Sequence, residues 1–303
     1  MKSVQFPNGG LYMAGNLYLP EGFDGAKTHA GIVVVHPGGG VKEQTAGGYA
    51  ARLAAQGFVS LAFDASFQGE SGGEPRFQED PYARVNDVRA AVDYLTTLGF
   101  VDNGRIGALG ICAGGGYAIH ATMIDRRIRA VGGVSSVNIG EMFRVGWKGD
   151  TDVAQAVGLL DMGAAQRTAL ANGGEAAFIP FSPPSLEGVE DPDMREAYDY
   201  YRTQRAQHCN TESKFTAASL PQLVTYDAFH LADRLLTQPL QLVAGREAGS
   251  LWYSEVILDK AASRVKDLHV VEGATHMSLY DTPVQMDEAM SRLTPFYEAH
   301  LAA

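Results

Sequence analysis

The sequence predicts an α/β protein with a mostly parallel central sheet flanked by helices. Apolar, β-rich runs alternate with helical patterns along most of the chain, which implies right-handed βαβ crossovers. Residues 137–236 interrupt this alternation between two core strands, and this stretch is too long for a loop. We therefore predict a core formed by residues 1–136 and 237–303, with residues 137–236 forming a helical cap or lid insertion.

Turn signals and apolar runs place the core elements. Asn8-Gly9-Gly10 separates two short strand-like stretches, which is typical of an antiparallel hairpin at a sheet edge. The further strands are predicted over residues 31–36, 59–64, 105–111, 128–134, 239–244 and 268–271. The core helices are predicted over residues 49–56, 80–98, 114–121 and 251–265, and from residue 284 towards the C-terminus.

The insertion has a different pattern. Helix-like pieces cover residues 152–160 and 192–207, and a proline-rich loop is predicted over residues 179–184. Since this segment follows the strand after Cys112, we expect it to cover the end of the sheet where Cys112 lies.

Composition and charge exclude several classes of protein. A formal net charge of −11 argues against a nucleic-acid surface and against binding to anionic membranes. The two cysteines, Cys112 and Cys209, are far apart in the chain, so no disulfide framework is expected and a reducing compartment is favoured. The chain shows neither a signal-peptide pattern nor a long apolar run, so we expect a cytoplasmic protein.

The most informative segment is Gly110-Ile111-Cys112-Ala113-Gly114-Gly115. A strand pattern precedes it and a small-residue helix pattern follows, as in the nucleophile elbow G-x-S-x-G, here with cysteine in place of serine. The glycines allow strand and helix to approach closely at a strained turn. We predict that Cys112 is a nucleophile rather than a cysteine that only packs, and that the helix N-terminus lowers the pKa of its thiol.

Two downstream residues complete a predicted triad in the order nucleophile, acid, histidine. His276 follows the last core strand, where a base can reach back toward Cys112; the alternative base, His269, lies in an apolar strand and is expected to pack there. Glu247 is the acid closest to the end of the preceding strand, where a carboxylate would orient the imidazole. The alternative for Glu247 is an exposed ion pair with a neighbour such as Arg246.

A glycine-rich loop is the candidate oxyanion hole. His36-Pro37-Gly38-Gly39-Gly40 follows the first long core strand. The backbone N–H group of Gly38 or Gly39, together with that of Ala113, would stabilise an oxyanion. The alternative is a flexible turn. Nucleotide binding is not expected, because neither a Gly-Lys-Ser/Thr sequence nor a complete G-x-G-x-x-G motif is present.

Three residues are predicted to line a substrate pocket, namely His36, Tyr198 and Tyr201. Plain core packing is the alternative for the two tyrosines, which share a helical face. In the loop of residues 64–73, Asp64 and Ser71 are expected to hold the loop rather than to perform chemistry. The histidines and cysteines show no metal-ligand spacing, so neither a metal nor a cofactor is expected.

The chain resembles the α/β-hydrolases related to dienelactone hydrolase. Residues 36–40, 64–73, 110–115 and 273–276 carry the resemblance, which covers the core, about residues 1–136 and 237–303. The resemblance implies the α/β-hydrolase fold and a Cys–acid–His triad, which maps here onto Cys112, Glu247 and His276. This chain departs from the family in its long insertion and in having His36-Pro37-Gly38 where dienelactone hydrolases place a glutamate.

These inferences predict a hydrolase that cleaves an ester, lactone or thioester through an acyl-cysteine intermediate. An acyltransferase with the same acyl-enzyme is one alternative, which a dry, capped pocket would favour. A non-catalytic ligand-binding protein on the same fold is the other. The expected partner is a small-molecule acyl substrate, with neither nucleic acid nor membrane, and a homodimer is left open.

Overall fold

The computed structural model describes residues 1–302, and an eight-stranded sheet forms its centre. The strands in chain order are β1 (Lys2–Asn8), β2 (Leu11–Tyr18), β3 (His29–Val35), β4 (Val59–Phe63), β5 (Val101–Ile111), β6 (Ile128–Val134), β7 (Phe178–Pro180), β8 (Lys214–Thr216), β9 (Leu240–Gly245) and β10 (Lys266–Val271). The central sheet has the order β1-β2-β4-β3-β5-β6-β9-β10, and β7 and β8 form a separate antiparallel pair. Within the central sheet, the neighbouring strands β4, β3, β5, β6, β9 and β10 are all parallel to one another, whereas β2 runs antiparallel to β1 and β4.

Helices cover both faces of this sheet. In chain order they are α1 (Thr45–Ala55), α2 (Pro81–Thr96), α3 (Ala113–Ile124), α4 (Ile139–Val145), α5 (Ala156–Ala171), α6 (Pro192–Arg202), α7 (Leu220–Thr225), α8 (Ala232–Leu235), α9 (Leu251–Lys260), α10 (Ser278–Asp281) and α11 (Pro283–His300). Within residues 1–302, none of them has both the length and the apolar character that crossing a bilayer requires.

Alternation along the strands divides the core into two layers. In β3, Val33 and Val35 pack with α2 and α3 on one face, while Ile32 and Val34 pack with α1 and α11 on the other. The strands read as continuous apolar runs because helices cover both of their faces. The predicted α/β-hydrolase fold is therefore confirmed.

The predicted core elements are present, although some ends differ. Helix α1 begins at Thr45, four residues before its predicted start, because the hydroxyl of Tyr200 accepts a hydrogen bond from the Thr45 N–H group at 3.0 Å. Helix α9 ends at Lys260, five residues early, and the following chain is held by Ser263, whose hydroxyl donates to the Leu236 carbonyl at 3.0 Å. Both ends depend on distant residues, so local sequence patterns could not fix them.

The segment between β6 and β9 contains more structure than its sequence predicts. Helix α5 extends to Ala171, and the first two residues of the predicted proline-rich loop belong to β7, which pairs with β8, whereas residues 181–184 form a loop as predicted. Helix α6 begins as predicted, because Asp191 caps it and Pro192 opens it. Apolar side chains from the later part of the segment share the core of the sheet's α2–α3 face, including Phe215, Leu223 and Phe229. The segment therefore packs against the core and does not form a separate globule.

Candidate active site

Cys112 occupies a sharp turn between β5 and α3. Its backbone φ is +56°, a conformation that residues other than glycine rarely adopt. A Cβ added at Gly110 would collide with the backbone of Gly114, and one added at Gly114 would collide with the carbonyl of Val35. The turn thus needs these glycines for steric reasons, and it presents the Cys112 side chain at the N-terminus of α3.

Three hydrogen-bonding groups surround the Cys112 sulfur. The backbone N–H groups of Ala113 and Gly38 donate to it, and the hydroxyl of Tyr280 lies within hydrogen-bonding reach of it. Burial nevertheless raises the pKa of the Cys112 thiol above its ordinary value, against the opposing effects of these three groups and of the Arg84 charge. The predicted lowering of this pKa is therefore wrong, because desolvation outweighs the helix N-terminus at this position.

His276 is fully buried and both of its ring nitrogens have partners. Its Nδ1 lies 2.5 Å from the Ser250 hydroxyl, and its Nε2 lies 2.8 Å from the Tyr280 hydroxyl. The Trp147 indole packs edge-on against the imidazole, with ring centroids 4.7 Å apart. Burial lowers the pKa of His276 to about 3, so the imidazole is neutral at neutral pH. Tyr280 also contacts Cys112, which makes a continuous chain from thiol to tyrosine to histidine to serine.

Glu247 does not occupy the position beside the imidazole. The chain turns immediately after β9, where the Glu247 N–H group donates to the Ala274 carbonyl at 2.9 Å, and the Glu247 side chain is exposed. Its neighbour Arg246 pairs with Glu272 at 3.0 Å. Because the Ser250 hydroxyl lies on Nδ1 instead, the structure corrects the assignment of Glu247 as the acid.

His269 has a different environment from the one expected. It is only partly buried, and its Nε2 lies 2.8 Å from the Glu288 carboxylate on α11. The apolar strand pattern around it predicted a residue packed within the sheet. It belongs to the β10–α11 contact and does not join the group around Cys112.

Gly38, rather than Gly39, is the glycine of the candidate oxyanion hole. The Gly38 N–H group donates toward the sulfur, and Gly38 faces the cavity beside it. Gly39 has a φ of +66°, and an added Cβ there would meet the Phe181 ring and the Ser213 backbone. Gly39 therefore shapes the turn and allows the insertion to approach it closely.

His36 supports this loop and does not line the cavity. It is fully buried, with Nε2 accepting from the Ala65 N–H group at 3.1 Å and Nδ1 lying 2.7 Å from the Pro37 carbonyl. Arg84 on α2 donates to the His36 carbonyl at 2.7 Å. Burial, reinforced by the Arg84 charge, holds the pKa of His36 well below its usual value. The predicted pocket role of His36 is thus wrong: it is a neutral residue that holds the loop.

A second group of hydrogen bonds anchors the chain immediately after the same loop. The Asp64 carboxylate accepts from the Lys42 backbone N–H group and from Lys42 Nζ, both at 2.8 Å. Ser71 donates to the Asp64 carbonyl at 2.6 Å, as expected for loop-holding residues. Asp64, Glu43 and Glu70 form an acidic cluster, but Lys42 Nζ lies within hydrogen-bonding distance of all three carboxylates. The cluster is therefore an ion-pair network in which one lysine bridges three carboxylates.

A narrow apolar cavity opens above Cys112. Its volume is about 190 Å³, and it is lined by Gly38, Cys112, Ala113, Ile139, Met142, Trp147, Phe181, Met194, Ala197, Tyr201, Met277 and Tyr280. None of these side chains carries a formal charge at neutral pH unless the Cys112 thiol loses its proton. Most of the lining comes from the segment between β6 and β9.

Of the two predicted pocket tyrosines, one lines the cavity and the other does not. Tyr201 is buried, lines the cavity and contacts the hydroxyl of Tyr280. Tyr198 lies on the same helix, but it is half-exposed and is not part of the lining. The predicted role of Tyr198 is therefore wrong, because α6 turns that side chain away from the cavity.

Tyr280 and Ser250 were not among the residues predicted from the sequence. Tyr280 stands four residues after His276, and that spacing places two side chains on one side of a helical turn. It was a usable signal. Ser250 carries no distinguishing pattern, because a serine in a loop after a strand is common. Its role depends on how that loop packs against His276.

Asp193, a further missed residue, links the insertion to the Ser250 loop. Its buried carboxylate accepts from the Trp147 indole N–H at 2.6 Å and from the Gly249 backbone N–H at 2.8 Å. Trp147 contacts His276, and Gly249 precedes Ser250. Asp193 therefore braces both neighbours of the imidazole from helix α6.

Comparison with known proteins identifies the family of this chain. Residues 32–289 match the model of the alpha/beta hydrolase family. The chain belongs to that family. It is 50% identical to the protein YcjY of Escherichia coli over 94% of this chain and 93% of that one. The crystal structure of protein PA2218 from Pseudomonas aeruginosa superposes with a TM-score of 0.92 at 32% identity, covering 99% of this chain and 93% of the other.

Two fungal relatives match a shorter stretch. A polyketide transferase, claH of Penicillium crustosum, is 34% identical over 40% of this chain and 39% of its own. A thiohydrolase, aneE of Aspergillus aculeatus, is 34% identical over 40% of this chain and 37% of its own. The family thus includes relatives named for group transfer as well as for hydrolysis.

Proposed function

We propose that this family member is a hydrolase that cleaves an ester or thioester of an apolar acyl group through an acyl-cysteine intermediate. Cys112 is the nucleophile, His276 is the base, and the N–H groups of Gly38 and Ala113 stabilise the oxyanion. The cysteine elbow supports the further proposal that the chain is related to the dienelactone-hydrolase branch of the family. Residues 137–236 act as the cap that selects the acyl group, and the reaction requires no cofactor.

One observation carries this proposal: Cys112 stands in a strained elbow with two backbone N–H groups directed at its sulfur. Strain in a backbone persists only where the surroundings enforce it, and it concentrates at functional sites. A tetrahedral intermediate formed on the sulfur would place its oxyanion beside these same N–H groups. A cysteine that merely packs would need neither the strain nor the donors.

The raised pKa of the thiol affects how attack occurs. Burial favours the neutral thiol of Cys112 and the neutral imidazole of His276. Attack therefore requires removal of the thiol proton as the bond to the acyl carbon forms, and a stable thiolate–imidazolium pair is not needed. General base catalysis of this kind contributes about 10²–10⁴-fold in rate.

The cavity favours a small, uncharged acyl group. At about 190 Å³ it is somewhat larger than the roughly 150 Å³ space that holds one benzene molecule. A carboxylate in this apolar cavity would lack an ion partner, because Arg84 lies beneath the loop of Gly38 and does not line it. This argues against a carboxylate-bearing lactone as substrate.

Acyl transfer is the second candidate, and the apolar cavity supports it. His276 does not line the cavity, so a water molecule beside the acyl-cysteine would have few polar partners there. A dry site slows hydrolysis and leaves the acyl group available to an alcohol, amine or thiol acceptor. The similarity to a polyketide transferase also favours acyl transfer.

A panel of p-nitrophenyl esters of increasing acyl length tests the proposal. The wild-type protein and its Cys209→Ala variant should show turnover and an acyl adduct by intact mass, and Cys112→Ala should show neither. Cys209 is exposed and serves as the matched control. A burst of p-nitrophenolate without turnover would favour acyl transfer. The absence of both adduct and turnover across the panel would contradict the enzyme and favour a binding protein.

A further inference from the structure

Tyr280 stands between the candidate nucleophile and the candidate base. Its hydroxyl lies 2.8 Å from His276 Nε2 and contacts the Cys112 sulfur. Tyr280 lines the cavity together with Cys112, whereas His276 does not. A substrate in the cavity would therefore meet the tyrosine hydroxyl before it met the imidazole.

Neither nitrogen of His276 is available for direct contact with the thiol. The Ser250 hydroxyl occupies Nδ1, and the Tyr280 hydroxyl occupies Nε2. Trp147 packs against the ring, and the imidazole has no solvent-exposed surface. A direct proton transfer from Cys112 to His276 would require this packing to open.

We propose that Tyr280 is a catalytic residue that relays the proton between Cys112 and His276. This inference rests on the proposed acyl-cysteine chemistry. It assigns the role of direct acid and base to the tyrosine hydroxyl, with His276 as the proton reservoir behind it.

The relay conserves charge and protons at each step. As the sulfur attacks the acyl carbon, the Sγ–H proton moves to the Tyr280 oxygen while the Tyr280 proton moves to Nε2. The carbonyl electron pair becomes the oxyanion held by Gly38 and Ala113. When the bond to the leaving group breaks, that group takes a proton from the Tyr280 hydroxyl, which recovers one from Nε2. Deacylation repeats the sequence with water as the nucleophile.

The tyrosine remains neutral throughout, which suits its surroundings. Burial raises the pKa of Tyr280 well above its ordinary value, so a free phenolate is disfavoured. A concerted transfer avoids the phenolate, because one proton arrives as the other leaves. Ser250 completes the arrangement: when Nδ1–H donates to its hydroxyl, Nε2 is free to accept from Tyr280.

The test compares Tyr280→Phe with Tyr49→Phe. Tyr49 is buried, and its hydroxyl donates at 2.7 Å to the carbonyl of Leu279, the residue before Tyr280. Tyr49→Phe therefore removes a buried tyrosine hydroxyl that contacts the residue next to Tyr280. The measurement is the single-turnover rate of p-nitrophenolate release, with the adduct on Cys112 checked by mass. We expect Tyr280→Phe to slow acylation by about 100-fold or more. Tyr49→Phe should stay within about threefold, since neutral hydrogen bonds of this kind contribute modestly.

A second measurement uses the wild-type protein and does not depend on the variant folding. The acylation rate is measured in mixtures of H₂O and D₂O and is corrected for the isotopic fractionation of the thiol itself. The corrected rate should depend quadratically on the fraction of D₂O, because two protons move. A linear dependence, or equal rates for the two variants, would overturn the relay. If the relay is overturned but the wild-type protein still forms an acyl adduct that Cys112→Ala abolishes, the proposed function remains intact. If the wild-type protein forms no acyl adduct, the proposed function itself is refuted.

Discussion

At the scale of single residues, the candidate base has no carboxylate partner among residues 1–302. Ser250 is a neutral group on Nδ1, and the groups that contact the His276 ring are Ser250, Tyr280 and Trp147. A neutral partner can fix the imidazole tautomer but stabilises imidazolium less than a carboxylate does. This agrees with the lowered pKa of His276.

Replacing Ser250 should move the acidic limb of the pH–rate profile. A base must be unprotonated to act, so with a pKa of about 3 for His276, kcat/KM should not fall on acidification until the pH is well below neutrality. In Ser250→Asp, the added carboxylate should raise the pKa of His276 by about 1–3 units and shift the limb upwards accordingly. The measurement is kcat/KM for a p-nitrophenyl ester between about pH 4 and 8.

Two further variants give the comparison its controls. Ser250→Ala should reduce kcat about 10- to 100-fold, because a hydrogen bond to a group that becomes charged is lost. Glu247→Gln should behave like the wild-type protein, since its side chain is exposed. A large loss in Glu247→Gln with none in Ser250→Ala would restore Glu247 as the orienting acid.

At the scale of elements, helix α2 positions the loop that carries Gly38. Arg84 donates to the His36 carbonyl and lies 3.7 Å from the Glu79 carboxylate, and both charged side chains are buried. The Tyr117 hydroxyl donates to Glu79 at 2.8 Å, which ties α3 to the same network. The loop that carries Gly38 and helix α3 thus contact the same buried ion pair.

Breaking this pair should affect both stability and rate. Arg84→Met should lower the free energy of unfolding by about 3–5 kcal/mol, because it leaves Glu79 buried without its cation. The variant should also lower kcat through the loosened loop. Adding Glu79→Gln to Arg84→Met should recover part of the stability but not the lost support for the His36 carbonyl. Chemical denaturation and ester kinetics on both variants separate the two effects. Restored kcat in the double variant would contradict a positioning role for Arg84.

At the scale of the whole molecule, the segment between β6 and β9 closes the cavity and braces the base. Phe181 lies against Gly38, and Met142 and Met194 add flexible thioether side chains to the wall. Asp193 connects the same segment to the loop of Ser250. Under the proposed function, substrate selection and alignment of the imidazole would therefore be coupled through one insertion.

Shortening the Phe181 side chain should change the preferred acyl length. Phe181→Ala enlarges the cavity, so the ratio of kcat/KM for an octanoyl ester to that for an acetyl ester should rise about 10-fold or more. Tyr198→Phe is the matched control, because Tyr198 lies on α6 but outside the lining. Equal loss for all acyl lengths in Phe181→Ala, with a lowered Tm, would mean that Phe181 only stabilises the segment.

The sequence by itself determined the alternating core, the cysteine elbow and the place of His276 after the last strand. These features depend on local periodicity and on steric limits at Gly110 and Gly114, which nearby residues express directly. Only the tertiary structure decided three other features. Ser250 rather than Glu247 contacts the imidazole, Tyr280 bridges Cys112 and His276, and Tyr198 and Tyr201 point in different directions. They depend on how an insertion and two loops, distant in sequence, pack around one imidazole. The direction of the Cys112 pKa shift was likewise decided by packing, because desolvation is a property of the assembled cavity rather than of the elbow alone.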